Sequence, residues 1–201
     1  MRFLNPNIEY YSNKSELAQR KVFHCAEQMQ KYIKGNIIDL GTGTGTVIDF
    51  FAKKIKSKSI TCVDVSDYHK KILEKKYKFK KINFDIGPYD LKSDTYNTII
   101  SSDVIEHVLS PFMYLSESYR ILKKNGVIVI STPDAKKTKV TVPHINYFTP
   151  ESLKLLLKRV GFKKIIRIYN GIINKEVTNL ISKIPLVRNL LNNGCYYIAI
   201  K

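Results

Sequence analysis

The sequence has few cysteines and no long apolar run, and these absences exclude several classes of protein. Cys25, Cys62 and Cys195 lie far apart and form no Cys-x-x-Cys pair, so we expect neither a disulfide framework nor a cysteine-based zinc site. No apolar run approaches the ~20 residues that cross a bilayer, and residues 1–12 lack the pattern of a secretory signal. We therefore expect a cytoplasmic protein without a transmembrane segment, folded as a single domain over residues 1–201.

Acidic residues and arginine are also scarce. The chain has 34 Lys and Arg against 17 Asp and Glu, which gives a net charge of +17. Such a charge attracts RNA or an anionic membrane. However, only six of the basic residues are arginine, the side chain that binds phosphates and bases bidentately. A generally lysine-rich composition explains the charge as well, so a nucleic-acid partner is the less favoured alternative.

Glycine is concentrated in one place, and this is the most informative feature of the chain. Gly41, Gly43 and Gly45 follow the apolar pair Ile37-Ile38, and Asp39 enters the turn. Glycine lets the backbone adopt positive φ and lets a ligand approach the main chain closely. A dinucleotide-binding loop has the spacing Gly-x-Gly-x-x-Gly, which would require glycine where Thr46 stands. The observed Asp-x-Gly-x-Gly-x-Gly pattern therefore indicates another ligand.

Apolar patterns of strand and helix alternate along the rest of the chain. An N-terminal helix within the cap segment 1–34 is ended by Gly35. Strands are predicted at residues 36–40, 59–63, 80–84, 96–101, 127–131, 163–169 and 196–200, and helices at 46–54, 66–77, 110–124 and 149–161. Helix N-caps are predicted at Ser66 or Asp67, at Ser110 and at Thr149, and Gly161 is predicted to end the last helix. This alternation predicts an α/β, doubly wound fold with a mostly parallel sheet covered on both faces.

Acidic residues follow three successive predicted strands. Asp39, Asp64 and Asp85 each stand at the carboxyl end of a strand, and the fourth strand ends at Ser101-Ser102. Ligands of parallel sheets bind at this edge. One acid at such a position is common, but three beside a glycine loop are much less expected by chance. The pattern predicts a ligand site at this edge of the sheet.

With these motifs in order, the sequence from Ile37 to Phe162 resembles the class I S-adenosylmethionine-dependent methyltransferases. Within that family it is similar to the small-molecule branch that includes quinone-biosynthesis O-methyltransferases. The segments that carry this similarity are Asp103–Val108, with its Glu-His-Val, and His144–Leu153, which leads to Gly161-Phe162. The Pro-Pro-Tyr found after strand four in amino-methylating nucleic-acid enzymes is absent. Thr42 stands where the family usually has Cys or Ser.

The resemblance implies a seven-stranded, Rossmann-like methyltransferase sheet of order 3-2-1-4-5-7-6, with strand seven antiparallel. It implies S-adenosylmethionine as cofactor and S-adenosylhomocysteine as product. Asp39 would orient the methionine ammonium, Asp64 would accept from both ribose hydroxyls, and Asp85 would accept from the adenine amino group. The whole cofactor-binding set that it implies is Asp39, Gly41, Thr42, Gly43, Gly45, Asp64, Val65, Asp85, Ile86, Ser101 and Ser102.

The residues that would bind and deprotonate the methyl acceptor are less clearly indicated by the sequence. His107 is the first candidate for a general base, because imidazole accepts a proton near neutrality, and His144 is the second. Tyr147 and Tyr11 are candidate substrate-binding residues. Structural roles explain the same residues: His107 as a backbone partner near a helix start, and His144 and Tyr147 as packing in a substrate-side loop at 133–149.

A metal site is a further alternative for the segment after strand four. Asp103, Glu106 and His107 are spaced i, i+3 and i+4, so they could share a helical face. An exposed acidic turn explains the same spacing, and we predict no metal. The predicted function is methyl transfer to a hydroxyl, or less favourably an amine or carboxyl, of a small molecule. An RNA or protein methyltransferase and a non-catalytic cofactor-binding subunit remain the alternatives.

Overall fold

The computed structural model describes residues 27–54, 59–138, 143–169 and 194–201, and their strands form one seven-stranded sheet. The strands are β1 (Ile37–Leu40), β2 (Ile60–Asp64), β3 (Lys78–Lys81), β4 (Tyr96–Ser102), β5 (Leu122–Pro133), β6 (Lys164–Ile168) and β7 (Gly194–Ile200). The helices are α1 (Thr46–Lys54), α2 (Asp67–Leu73), α3 (Pro111–Ile121) and α4 (Pro150–Val160).

The strand order confirms the predicted fold. The order is β3-β2-β1-β4-β5-β7-β6, and the pairs among the first five strands are parallel. Strand β7 runs antiparallel to both β5 and β6. The chain moves outward in one direction from β1 to β3 and then returns to place β4 on the other side of β1. This reversal makes the carboxyl ends of β1 and β4 the point where such sheets bind ligands.

Both faces of the sheet are buried. Successive residues of a strand point to opposite faces, so neighbouring residues of β1 belong to different apolar clusters. In β1, Ile37 belongs to an apolar cluster that includes Phe51 of α1. Its neighbour Ile38 belongs to the cluster on the other face, with Tyr114 of α3 and Leu153 of α4. All four residues of β1 are buried. The central strand therefore gives the residues that follow it a rigid base.

The predicted N-caps, and the predicted end of α4 at Gly161, are confirmed. Ser66, Ser110 and Thr149 are extended residues, and each accepts through its side-chain oxygen from the backbone N–H three residues further on. Gly161 ends α4 in the left-handed region, with φ of 119°. These local signals fix where α2, α3 and α4 begin and where α4 ends.

Strand β3 is Lys78–Lys81, so the prediction of residues 80–84 was wrong. The strand stops where Lys81 pairs with Asp64, the last residue of β2. Beyond it, Phe84 is buried in edge-to-face contact with the rings of Tyr89 and Tyr114. The apolar residues that suggested a strand therefore pack into the core from a loop.

Two helices are also shorter than predicted. Helix α3 ends at Ile121 rather than at residue 124, because Leu122 is extended and pairs with Tyr96 as the first residue of β5. Strand β5 therefore begins five residues before the predicted start at residue 127, and it contains Asn125 and Gly126 next to a shift in register against β4. Helix α2 ends at Leu73 rather than at residue 77.

The N-terminal cap helix is described only in part. Residues 27–30 are helical, and Met29 and Ile33 are buried against the cluster that contains Phe51. Residues 31–34 are described and are not helical, so the predicted helix ends earlier than expected. Residues 1–26, which include Tyr11, lie outside the described residues. Within the described ranges, no helix combines the length and the apolar character needed to cross a membrane.

Arg120 of α3 holds the segment that follows the third strand. Its guanidinium donates to both carboxylate oxygens of Glu117, at 2.8 and 2.7 Å, and to the carbonyl oxygens of Leu91 and Tyr89, at 2.8 and 3.1 Å. The Glu117 carboxylate also accepts from the backbone N–H of Tyr89 at 2.7 Å. This ion pair fixes the loop between β3 and β4 to the outside of the sheet.

We expect Arg120→Met to lower the free energy of unfolding by about 1–3 kcal/mol, because Glu117 and two backbone carbonyls lose a charged donor. Urea denaturation followed by circular dichroism would measure the change. Lys154→Met is the matched control, since Lys154 is an exposed cation of α4 whose removal should change the stability by less than about 0.5 kcal/mol. Equal losses in the two variants would contradict the proposed role of Arg120.

Candidate active site

The glycine loop after β1 is tightly packed at Gly41 and open at Gly43. Gly41, Gly43 and Gly45 have φ values of 76°, 57° and 89°, a region that side-chain-bearing residues rarely adopt. A Cβ at Gly41 would lie 2.4 Å from Val104 Cγ2, whereas a Cβ at Gly43 would meet nothing within 4 Å. The loop therefore presents bare backbone at Gly43, where a ligand can approach it.

Asp64 connects this loop to the end of β2. Its Oδ2 accepts from the backbone N–H of Gly43 at 2.8 Å, and its Oδ1 accepts from Ser66 N at 2.9 Å. His69 Nδ1 lies 3.1 Å from the same Oδ1. Although burial raises it, the pKa of Asp64 is held below its usual value by His69 and by these backbone bonds. Asp64 is thus ionised, and a carboxylate has acceptor sites beyond the bonds described.

Asp39 is a second carboxylate with a very different environment. It is only 2% exposed, and its Oδ2 has no hydrogen-bond partner among the described residues. Burial raises the pKa of Asp39 to about 7, and the charge of Asp64 adds to the rise. A buried acceptor of this kind is stabilised by a cation or a donor. The site therefore fits a ligand that carries an ammonium group.

Thr42 holds the loop rather than facing a ligand through its hydroxyl. Its Oγ1 donates to the carbonyl oxygen of Asp39 at 2.9 Å and accepts from Val63 N at 3.1 Å. These bonds join the end of β1 to β2. A hydroxyl in this position satisfies two backbone groups that would otherwise be buried and unpaired.

Asp85 and two exposed apolar side chains lie beyond β2 and β3. Asp85 Oδ1 accepts from the backbone N–H of Leu109 at 2.7 Å. Val65 and Ile86, which follow Asp64 and Asp85 in the sequence, are 54% and 67% exposed. Large apolar side chains with this exposure, next to two carboxylates, could flank a planar ring with polar edges.

The two serines at the end of β4 point in different directions. Ser101 is buried, and its Oγ lies 2.8 Å from the hydroxyl of Tyr114 in the core. Ser102 Oγ accepts from Ser131 Oγ at 3.1 Å. A small pocket is lined by Met29, Phe51, Ser102, Ser131 and Tyr196, with Ser101 among its other lining residues. Sequence reasoning did not identify Met29, Ser131 or Tyr196 as residues near the site.

The two candidate histidines are brought together. The rings of His107 and His144 meet edge to face, with their centroids 4.8 Å apart. The carbonyl oxygen of Glu106 accepts from the backbone N–H groups of Ile145 and Asn146, at 2.9 and 3.0 Å. These bonds attach the segment that carries His144 to the turn that carries His107, so the proximity of the rings is fixed by backbone.

Glu106 is the residue of this group that sequence reasoning undervalued. Its side chain is buried, and its Oε2 accepts from Thr132 Oγ1 at 2.8 Å. Its Oε1 lies 4.0 Å from His107 Nε2. A glutamate directly before a histidine was a visible signal, but only the position of Thr132 at the end of β5 reveals that the carboxylate turns inward.

The turn with the histidine pair borders the glycine loop. Val104, at its start, is the residue that a side chain at Gly41 would meet, and Leu109, at its end, donates to Asp85. The turn therefore lies between the two ends of the predicted cofactor site. Asn146 strengthens this arrangement by donating through Nδ2 to the carbonyl oxygen of Val108 at 2.6 Å.

The loop at 133–149 is closed at its base. Asp134 and Phe148 form a parallel bridge, and Ala135 N donates to the carbonyl oxygen of Phe148 at 2.8 Å. Tyr147 is half-exposed and donates through its hydroxyl to the carbonyl oxygen of His144 at 3.0 Å. Residues 139–142 of this loop lie outside the described part of the chain.

The described cysteines are unsuited to nucleophilic chemistry. Cys62 and Cys195 are buried, and burial raises the pKa of each thiol to about 12. Because the thiolate is the nucleophile, neither residue is suited to attack a substrate, and both belong to the core.

Comparison with known proteins decides the family. A family model described as a methyltransferase domain matches residues 10–166. The chain belongs to this family. This methyltransferase domain uses S-adenosylmethionine as its cofactor.

The names of curated relatives of the methyltransferase domain indicate different substrates. The ribosomal protein L11 methyltransferase of Macrococcus caseolyticus is 27% identical over 128 residues, which are 60% of this chain and 40% of that protein. The ubiquinone/menaquinone biosynthesis C-methyltransferase UbiE of Geotalea daltonii is 32% identical over 110 residues, 49% of this chain and 47% of that protein. The chain spans less than half the length of these relatives.

Solved structures share the fold of the methyltransferase domain. A SAM-dependent methyltransferase from Archaeoglobus fulgidus superposes with a TM-score of 0.71 at 20% identity, covering 97% of this chain and all of that one. The methyltransferase in a complex with the Haloferax volcanii Trm112 methyltransferase activator gives 0.68 at 13% identity, covering 90% and 91%.

The residues present fit S-adenosylmethionine. Asp39 offers a buried oxygen, without a hydrogen-bond partner among the described residues, to an ammonium group, and Gly43 leaves its backbone open to an approaching ligand. Asp64 is an ionised acceptor for hydroxyl groups, and Val65 and Ile86 are exposed apolar side chains beside the carboxylates.

We expect the affinity for S-adenosylhomocysteine to rise with pH, because Asp39 accepts an ammonium only when ionised. Between about pH 6 and about pH 7.5 the ionised fraction of a carboxyl with a pKa of about 7 grows roughly eightfold, while the ligand's amino group stays mostly protonated below about 8. Isothermal titration at several pH values would measure the change. Asp39→Asn should bind more weakly and without this pH dependence; a dependence retained in the variant would assign it to another group.

We expect alanine at two loop glycines to separate folding from binding. Gly41→Ala forces a Cβ to 2.4 Å from Val104 and should cost roughly 2–4 kcal/mol of stability. Gly43→Ala meets no atom and should cost roughly 1–2 kcal/mol, but it should weaken S-adenosylhomocysteine binding by more than about tenfold. Thermal unfolding and calorimetric titration measure the two effects. An undiminished affinity of the Gly43 variant would show that the ligand does not approach there.

Proposed function

We propose that this methyltransferase domain belongs to a cytoplasmic enzyme that transfers a methyl group to a hydroxyl of a small molecule. The observation that supports this proposal is the position of the His107–His144 pair, beside the glycine loop and at the edge where the cofactor is expected. The pair is the part of the described site that is equipped to handle the proton of a hydroxyl acceptor.

The cofactor supplies a methyl group on a sulfonium, with a good leaving group already in place. We assign Asp39 to its ammonium, Asp64 to its ribose hydroxyls, and Asp85 to its adenine amino group. Val65 and Ile86, which are exposed apolar side chains, would flank the adenine ring. Of the two serines, Ser102 is the one whose hydroxyl lies towards the pocket, so Ser101 would contribute through its backbone.

The chain's own contribution to methyl transfer is alignment and proton handling. Alignment of two reactants is worth about 7–11 kcal/mol of the barrier. A hydroxyl acceptor must also lose its proton, and an imidazole can assist in two ways. It accepts the proton directly, or it binds a cation that makes the hydroxyl more acidic. Both uses need the imidazoles to face the acceptor, which places the hydroxyl beside His107 and His144.

The surroundings of the histidine pair favour an apolar or aromatic acceptor. Leu109, Phe112, Ile145 and Tyr147 are all close in sequence to the pair and are exposed despite their size. Side chains of this kind form the walls of small-molecule sites. Phosphate-rich substrates would instead call for basic side chains at the site.

A protein acceptor is the second candidate. The relatives named ribosomal protein L11 methyltransferase support it, and an RNA acceptor is supported by the net charge of +17. Both acceptors are polymers, so each predicts methylation of macromolecules rather than of small hydroxylated compounds. A cofactor-binding subunit without turnover would methylate none of these.

Methyl transfer from radiolabelled S-adenosylmethionine tests these alternatives side by side. We expect label in catechols or other hydroxylated aromatic compounds, and none in ribosomal protein or RNA. His107→Ala should lower kcat by about 100-fold or more, with the affinity for S-adenosylhomocysteine changed by less than about twofold. Label in protein or RNA alone would replace the small-molecule proposal, and a fully active His107 variant would remove the histidine pair from the reaction.

A further inference from the structure

We infer that Glu106, His107 and His144 bind one divalent transition-metal cation, which holds the acceptor's hydroxyl oxygen during methyl transfer. The role in methyl transfer rests on the proposed function, whereas the metal site itself rests on these three residues. Sequence reasoning predicted no metal and considered Asp103 with Glu106 and His107. The fold supplies His144 as the third member instead.

The geometry of the three groups suits one ion. Each residue offers one ligand atom, and the three atoms lie within 4.8 Å of one another. Ligand atoms around a zinc ion, each about 2.0–2.2 Å from it, are roughly 3.0–3.5 Å apart. The three atoms therefore need to approach one another by about 1–2 Å, which side-chain rotation can provide.

The donor set selects the kind of cation. Two imidazole nitrogens and one carboxylate oxygen suit Zn²⁺, Fe²⁺ or Mn²⁺, whereas Ca²⁺ and Mg²⁺ prefer oxygen ligands. Three protein ligands leave at least one coordination position open, as in catalytic rather than structural metal sites. An oxygen of the acceptor can take this position.

The groups around the ligands hold them in place. Thr132 Oγ1 donates to Glu106 Oε2, so the other carboxylate oxygen is directed towards the imidazole of His107. The carbonyl oxygen of Glu106 accepts from Ile145 N and Asn146 N, which keeps His144 beside the same residue. Hydrogen bonds of this kind orient metal ligands and contribute strongly to metal affinity.

Burial of Glu106 adds an energetic reason for a cation. The residue is 1% exposed, and a buried carboxylate is costly unless positive charge or donors compensate it. Asp103, by contrast, lies with Oδ1 3.4 Å from Ser131 Oγ and is not a member of the cluster. The inward carboxylate and the two imidazoles thus form one group at the mouth of the cofactor site.

The chemistry of the step is balanced without an oxidant or reductant. The O–H proton of the acceptor passes to water, and the acceptor oxygen forms a bond to the methyl carbon. The bond from that carbon to sulfur breaks, and its electron pair stays on sulfur. The cation promotes the first event, because a bound divalent ion lowers the pKa of an oxygen ligand.

Zinc titration of the chelator-treated full chain tests the site directly. We expect one Zn²⁺ per chain, and we expect His144→Ala and Glu106→Gln each to weaken zinc binding by about 100-fold or more. His69→Gln is the matched control, because His69 lies beside Asp64 rather than in the cluster. The zinc affinity of this variant should equal that of the unmodified chain. Absence of zinc binding, or equal affinity in all variants, would overturn the proposal.

A second measurement distinguishes the loss of a metal ligand from the loss of the folded structure. Co²⁺ gives visible absorption bands that report its ligands, and these bands should disappear in His144→Ala while its thermal unfolding and its S-adenosylhomocysteine affinity stay unchanged. His144 lies in a loop, so its loss is less damaging to folding than the loss of the buried Glu106. Bands that persist in this variant would exclude His144 as a ligand.

The activity readout separates this inference from the proposed function. With a hydroxylated acceptor, turnover should fall by more than about tenfold after metal removal and return on addition of Zn²⁺ or Mn²⁺, at constant S-adenosylhomocysteine affinity. Turnover that persists in the metal-free protein would overturn the role of the cation and leave the proposed function intact. Failure to bind S-adenosylhomocysteine would instead overturn the proposed function, and the zinc titration would still decide the metal site.

Discussion

The close packing of Val104 on Gly41 is the constraint on which the rest of the site depends. Because residue 41 has no side chain, the turn after β4 lies directly on the loop after β1. The same turn ends at Leu109, whose backbone N–H binds Asp85. One segment thus joins the glycine loop to Asp85 in the loop after β3, and it carries Glu106 and His107 between these two points. The proposed cofactor and acceptor sides of the site are therefore one continuous structure.

Two neighbouring carboxylates have opposite protonation behaviour, and their environments explain the difference. Asp64 accepts bonds from Gly43 and Ser66 and lies beside His69, which keeps it ionised. Asp39 is buried, one of its oxygens has no hydrogen-bond partner in the described part of the chain, and its charge is opposed both by burial and by Asp64. Such a pair combines one carboxylate that stays ionised with one whose ionisation a neighbouring cation would favour.

Local signals in the sequence were sufficient for the helix starts, because caps depend on adjacent residues. The sheet order was implied by the resemblance to the methyltransferase family, and no local signal specifies it. The end of β3 and the end of α3 were missed because pairing with Asp64 and Tyr96 decides them, and those partners are distant in sequence. The histidine pair could be named but not placed together, since the bonds from Ile145 and Asn146 to Glu106 are a product of the fold. The opposite directions of Ser101 and Ser102 follow from strand alternation, which sequence reasoning could have applied.

The 143–149 segment is attached to Glu106 through main-chain atoms, and this attachment affects which amino-acid substitutions the segment tolerates. Its bonds to Glu106 come from the backbone N–H groups of Ile145 and Asn146, and these bonds remain whatever residue other than proline stands at position 145. Replacement of the exposed Ile145 or Tyr147 would therefore change the surface beside the histidine pair while leaving the frame around His144 where it is. Substrate preference in such proteins can thus diverge through a few outward-facing side chains on an unchanged scaffold.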